Sequence, residues 1–191
     1  PPKDTQEKVY EQLKKVGLEQ FAKDKLKTFS GGMIRRIGIA QTLLNSPTIL
    51  LLDEPTAGLD PQERIRLRNI LSGLSEHCIV VLSTHIVSDV ELIADKVILL
   101  NDGTLLAADK VNDLLHNLTG MVWSFCLSSK AELKEISDKC LIGNVIQNAC
   151  DIQVRAVSRN KPHKNAVSLP PTMEDLYLFY FQGGDTHCVC W

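Results

Sequence analysis

Residues 49–55 read ILLLDEP. A strand that is apolar at every residue from Ile49 to Leu52 buries both faces, and such strands belong to parallel sheets covered by helices. Asp53 and Glu54 then stand at the strand's carboxyl end, the edge where ligands of open α/β sheets collect. Two adjacent carboxylates there suit phosphoryl chemistry: one holds Mg²⁺ through its water shell, and the other orients or deprotonates the attacking water. The plainer alternative, that Asp-Glu-Pro caps a strand and begins a turn, stays open for the pair taken alone.

Working outward, Asp60-Pro61 starts a helix, with the aspartate as cap and the proline at its first position, carrying Leu67, Ile70, Leu71 and Leu74. A second apolar strand, Ile79 to Leu82, leads into Ser83-Thr84-His85. The histidine, whose two ring nitrogens can donate or accept, is a plausible phosphate partner, although a lone histidine at a strand end is more often structural. A helix over about Ser88 to Ala94 follows. Lys96–Leu100 and Thr104–Ala107 then flank Asn101-Asp102-Gly103, a strong hairpin signal. Upstream, Ser30-Gly31-Gly32 opens a helix whose free N–H groups and positive dipole end favour an anion. Met33, Ile37, Ala40 and Leu44 give that helix one apolar stripe, ended by Asn45-Ser46-Pro47. Before it, Asp4 and Glu7 form a capping-box pattern, and Val9, Leu13 and Val16 keep helical spacing until Gly17.

The alternation of strand and helix makes Pro47 to Ala107 an α/β unit. Past Leu118-Thr119-Gly120 the pattern changes. Met121–Leu127 and Ile152–Val157 read as strands of a half-exposed sheet, with Ile152, Val154 and Ala156 inward. Residues 160–165 are a loop, and Pro170-Pro171-Thr172 opens a last helix bearing Leu176, Phe179 and Tyr180. These elements predict a small accessory α+β domain.

The 191 residues are 44% apolar and 23% charged, with a formal net charge of −2. That balance fits a globular chain and supplies no basic field for nucleic acid or an anionic membrane surface. The longest apolar runs, Thr48–Leu52 and Cys78–Leu82, are too short to cross a bilayer, and the polar opening PPKDTQEKVYEQ is unlike a signal peptide. Six scattered cysteines read as reduced thiols in a cytosolic protein. His187-Cys188-Val189-Cys190 makes a poor metal site at an unanchored end, and the tail is expected to be disordered.

Taken in order, SGG before an amphipathic helix, ILLLDEP, AGLD, and a strand ending in STH resemble the nucleotide-binding domain of ABC-transporter ATPases. Ser30-Gly31-Gly32-Met33 is similar to that family's signature motif, Ile49–Glu54 to its Walker B strand, Ala57–Asp60 to its D-loop, and Thr84-His85 to its switch histidine. The resemblance runs from about Val16 to Ala108. It implies ATP and Mg²⁺ as cofactors, with Asp53 serving the metal, Glu54 as general base and His85 sensing the γ-phosphate. It also implies that Ser30, Gly31, Gly32, Met33 and Asp60 contribute to nucleotide binding, the signature residues contacting ATP held by the opposite subunit of a head-to-tail dimer. Phe29 and Met33 replace the commoner Leu and Gln, and Ala57 stands where Ser is frequent. The segment PTMEDLYLFYF looks like the tail of exporters of drugs and peptide antibiotics.

The implied fold is therefore α/β, a P-loop NTPase core of the ABC ATPase type with a small α+β accessory domain. Nowhere does G-x-x-x-x-G-K-[ST] occur, so the chain is expected to be an N-terminally truncated, C-terminal portion of a longer subunit, inactive alone. Residues 1–45 read as the end of the helical signature subdomain, 46–118 as the second half of the ATPase core, 119–182 as the accessory domain and 183–191 as a disordered tail. The expected function is an ATP-hydrolysing subunit on the cytoplasmic face of the membrane, powering transport through a separate transmembrane permease. No nucleic acid partner is expected. The alternative is a non-catalytic interaction or regulatory fragment of an ABC protein.

Overall fold

The computed structural model describes residues 3–182, so the 183–191 tail with its cysteine pair lies outside the described residues. The chain divides after Asp89 into two compact units, a division that falls inside the expected 46–118 segment. The first unit holds one two-stranded sheet, and the second holds a two-stranded and a four-stranded one.

In the first unit, α1 (Lys3–Lys15) is stopped by Gly17, whose φ of +66° suits a residue without Cβ. The chain-reversing bond from Leu18 N–H to Leu13 O, 2.8 Å, closes the helix end. Val16 and Leu18 are fully buried there. Two short 3-10 turns, Glu19–Phe21 and Leu26–Thr28, lead to α2 (Gly31–Leu43). Ser30 caps α2, its hydroxyl accepting from Met33 N–H at 3.2 Å. The buried face of α2 is Gly32, Arg36, Ile39, Ala40 and Leu43, rotated from the expected Met33–Ile37–Ala40–Leu44 stripe; only Ala40 belongs to both. The buried guanidinium of Arg36 causes the rotation, since it must reach its acceptors in the interior and carries its helix face with it.

β1 (Ile49–Asp53) leads through Gly58, φ +72°, to α3 (Pro61–Leu74), capped by Asp60, which accepts from Glu63 N–H at 2.9 Å. β2 (Ile79–Ser83) then pairs parallel to β1, with Ile49 opposite Ile79 and Asp53 opposite Ser83. The expected two-sided burial is not met within the described residues. Leu50 is 3% exposed, but Ile49, Leu51, Ile79 and Val81 lie between 49% and 74% exposed. One face packs and the other is bare. α4 (Val87–Ile93) carries Asp89 in its first turn, buried and 3.5 Å from Arg68.

In the second unit, β3 (Lys96–Asn101) and β4 (Thr104–Lys110) form the expected hairpin. Asp102 and Gly103 both have positive φ, +47° and +76°, as a two-residue turn of the I′ type requires. After α5 (Val111–His116) comes β5 (Val122–Leu127), then α6 (Lys130–Ser137), β6 (Leu141–Gln147), β7 (Ile152–Val157), β8 (Val167–Ser168) and α7 (Met173–Gln182). The four strands order as β6-β7-β5-β8, all neighbours antiparallel. Ile152, Val154 and Ala156 point inward as the alternation predicts, joining Phe125, Leu127, Ile136 and Ala166 in one apolar core. On α7 the buried residues are Met173, Asp175, Leu176 and Leu178, whereas Phe179 and Tyr180 are only half-buried. The four described cysteines, Cys78, Cys126, Cys140 and Cys150, are free thiols.

Candidate functional site

The parallel register of β1 and β2 ends both strands at one edge, which puts the residues following them side by side. Asp53 Oδ1 accepts from Ser83 Oγ at 2.5 Å. Glu54 Oε1 lies 2.7 Å from His85 Nδ1 and accepts from His85 N–H at 3.0 Å. Its other oxygen accepts from the Thr84 hydroxyl at 3.2 Å. The hydrogen bond to His85, helped by Thr84, holds the Glu54 carboxyl below the usual carboxylate range, against the opposing push of desolvation. Glu54 is thus an ionised proton acceptor. A carboxylate has about four lone-pair directions, and Oε2, with one of its two filled by Thr84, keeps one free for a water proton.

Glu54 reaches this geometry through its backbone, with φ of +44°. The left-handed region is uncommon for a residue with a Cβ, and such outliers cluster at functional sites. The turn also aims the Glu54 carbonyl at α2, where Arg35 Nη1 donates to it. The same carbonyl accepts from Ala57 N–H at 3.3 Å, while Pro55 and Thr56 are buried behind the turn.

Of the sequence-predicted residues, Asp53, Glu54 and His85 converge at this edge. Among the described residues, Ser30, Gly31, Gly32, Met33 and Asp60 form no side-chain hydrogen bond with it. Ser30 and Asp60 cap their own helices. Gly31 is exposed at the helix start, with open space where a Cβ would lie. Gly32 packs against Glu63, and a Cβ there would fall 2.5 Å from Glu63 Oε2 and 2.8 Å from its Cγ. The start of α2 therefore rests on the first turn of α3. Glu63 in turn pairs with Arg36 at 3.1 Å, and Arg36 donates to Val16 O at 2.9 Å. Arg35, Arg36 and Glu63 escape a motif reading; two consecutive arginines in an otherwise apolar helix are the signal that points to them.

Residues 3–57 match the family described as ABC transporter. Among curated relatives, the Bacillus subtilis ABC transporter ATP-binding protein YxlF is 35% identical over 127 residues, 66% of this chain and 43% of that protein. Over these matched stretches the chain belongs to the ABC-transporter ATP-binding family. The linearmycin resistance ATP-binding protein LnrL of Bacillus subtilis is 38% identical, covering 61% of this ABC chain and 38% of LnrL. The lantibiotic transport ATP-binding protein SrtF of Streptococcus pyogenes is 44% identical, covering 56% of the chain and 46% of SrtF. The matched stretches thus span less than half the length of these relatives. Among solved structures, cbiO1 of Clostridium perfringens, part of the ABC transporter complex cbiONQ, superposes with a TM-score of 0.57 at 27% identity, over 61% of this chain and 47% of that one. MJ1267, an ATP-binding cassette of an ABC transporter in its ADP conformation, gives 0.56 at 21% identity, over 62% and 47%, and shares the fold. The α/β architecture is that of an ABC ATPase cassette.

Proposed function

We propose that this chain carries the hydrolytic carboxylate and the signature helix of an ATP-binding subunit that powers export, of a drug or peptide antibiotic, through a separate transmembrane permease. The observation that supports hydrolysis is the Glu54–His85 pair at the carboxyl edge of β1–β2. The names of LnrL and SrtF support the cargo class. The membrane-spanning part is assigned to the permease and this subunit to its cytoplasmic face; among the described residues no helix is long and apolar enough to cross a membrane. Within that subunit, 1–45 serves as the end of the helical subdomain, 46–118 as the second half of the core and 119–182 as the accessory domain.

The residues fit the cofactors. Mg²⁺ is usually held by one or two carboxylates together with water and substrate phosphates. Asp53 is exposed at the edge, beside the Ser83 hydroxyl, and offers hard oxygen donors. Bound Mg²⁺ and ATP supply the reacting phosphoryl group and neutralise its charge. Glu54 accepts a proton from water at Oε2, and His85 and Thr84 fix the carboxylate's orientation while it does so. Ser30 and Gly31, with Gly32 and Met33 behind them, present backbone N–H groups to the nucleotide of a second subunit arranged head to tail, and Asp60 holds the adjoining turn.

Glu54→Gln in a complete subunit should slow ATP turnover roughly 10²–10⁴-fold while leaving nucleotide binding in place, since a general base is worth about that much. Turnover at the parental rate overturns the assignment. The second reading, a non-catalytic interaction fragment, is favoured by the sequence of these 191 residues, which holds no G-x-x-x-x-G-K-[ST] motif. On either reading this chain alone should give no micromolar Mg-ATP binding by calorimetry, because the lysine and N–H cradle of that motif carry the phosphate affinity.

A further inference from the structure

Arg35 is a charged side chain that the proposed reaction does not use. It follows Ser30-Gly31-Gly32 by about one helical turn, and its guanidinium donates to the backbone carbonyl of Glu54. That carbonyl belongs to the residue whose φ of +44° swings the carboxylate toward His85. The helix carrying Arg35 is held in place by its neighbour. Arg36 is 5% exposed, donates to Val16 O at 2.9 Å, and pairs with Glu63 of α3 at 3.1 Å. A guanidinium projecting from so fixed a helix reports that helix's position on whatever it grips.

We propose that Arg35 is a positioning residue that clamps the Glu54 peptide in its left-handed turn, so that movement of the SGG helix start is felt at the carboxylate of the same chain. A ligand engaging Ser30 and Gly31 would thereby adjust the Glu54–His85 pair without touching it. This rests on the reading of Glu54 as the general base.

The test compares Arg35→Ala and Arg35→Lys with the parent chain by NMR. Two observables report the clamp: the Glu54 HN–Hα coupling, which reads φ, and exchange of the His85 amide that donates to Glu54 Oε1. Arg35→Ala should move the coupling out of its left-handed value. It should also speed His85 exchange roughly tenfold to a hundredfold, the worth of a hydrogen bond from a charged donor. The amides of Leu67 and Leu71 in α3 should keep their parental rates, and Arg35→Lys should recover most of the parental behaviour. In a complete subunit Arg35→Ala should lower kcat with KM for ATP unchanged. Unchanged coupling and exchange in Arg35→Ala overturn the proposal, and so does a parallel loosening of Leu67 and Leu71, which would mark a merely structural role. Glu54→Gln separates the two ideas: parental turnover in that variant removes the base assignment and leaves the NMR result to judge Arg35 alone.

Discussion

The β1–β2 pair and the four-stranded β6-β7-β5-β8 sheet are built from comparably apolar strands, yet they end in opposite states. Val154 and Ala156 are fully buried in the larger sheet, and Phe125 is 3% exposed. In β1, Leu51 is 74% exposed although both its neighbours in sequence are leucines. The alternating strand IQVRAV needs one covering layer and finds it among Leu133, Ile136 and Ala166. The continuous run ILLL needs two layers, and the described residues supply one. An apolar pattern states what burial a strand calls for; the partner that supplies it is a separate matter. Bare parallel strands with unpaired edges also invite association, so the β1–β2 face is the expected site of self-adhesion in this chain.

Four substitutions probe that contrast by chemical denaturation of the chain, and a fifth, Asp175→Asn, by its pH dependence. The largest effect should be Phe125→Ala, which opens a cavity in the packed core of the second unit at a cost of about 3–5 kcal/mol. If it costs no more than a surface change, the second sheet is not the well-packed one. Next is Arg155→Ala. Arg155 holds the buried Asp175 through two bonds, 2.9 and 2.6 Å, and also donates to Pro170 O at 2.9 Å. Removing it strands a buried carboxylate and should cost roughly 2–4 kcal/mol, somewhat below a fully buried pair because Arg155 is about a quarter exposed.

The same pair gives a pH signature. Burial pushes the Asp175 carboxyl up, but Arg155 together with the N–H and hydroxyl of Thr172 outweigh it and hold the group below its ordinary value of 3.8. A depressed folded-state pKa contributes stability in full above 3.8 and loses it as pH falls through the folded value. Melting curves of the parent and Asp175→Asn should therefore differ most above that pH and converge below it. A constant gap down to strong acid would show that the charge of Asp175 contributes nothing.

Smaller again is Gly32→Ala, expected to cost about 1–3 kcal/mol as the new methyl displaces Glu63 from Arg36. A neutral result would mean that Glu63 swings aside freely and does not fix α2. The smallest is Leu51→Ser, which should change stability by less than about 0.5 kcal/mol, as for other exposed positions, while reducing aggregation as measured by light scattering. A loss comparable to Phe125→Ala would mean that the bare face is covered in solution and would erase the contrast between the two sheets.

Much of the fold was legible because its signals are local. The Asp60 cap with Pro61, the Ser30 cap, the Gly17 stop and the Asp102-Gly103 turn each act within about four residues, and each stands where the pattern put it. α6 carried an equally local signal that went unread. Ser129 caps α6, accepting from Glu132 N–H at 3.3 Å, and Glu132 reaches back past the cap to accept from Ser128 N–H at 3.2 Å. The face of α2 was misjudged for another reason: a hydropathy stripe cannot foresee that an arginine will be the buried residue and turn the helix to reach its acceptors.

By itself the sequence determined the order of strand, carboxylates, turn and capped helix, and with it the family, because those choices are settled by backbone preference and short-range hydrogen bonds. Only the tertiary structure decided that Glu54 grips His85 across 31 positions of chain and that Arg35 grips Glu54 across 19. Such pairings depend on the in-register alignment of β1 with β2 and on the docking of α2 by Arg36. Those are collective packing outcomes that no short window of residues specifies.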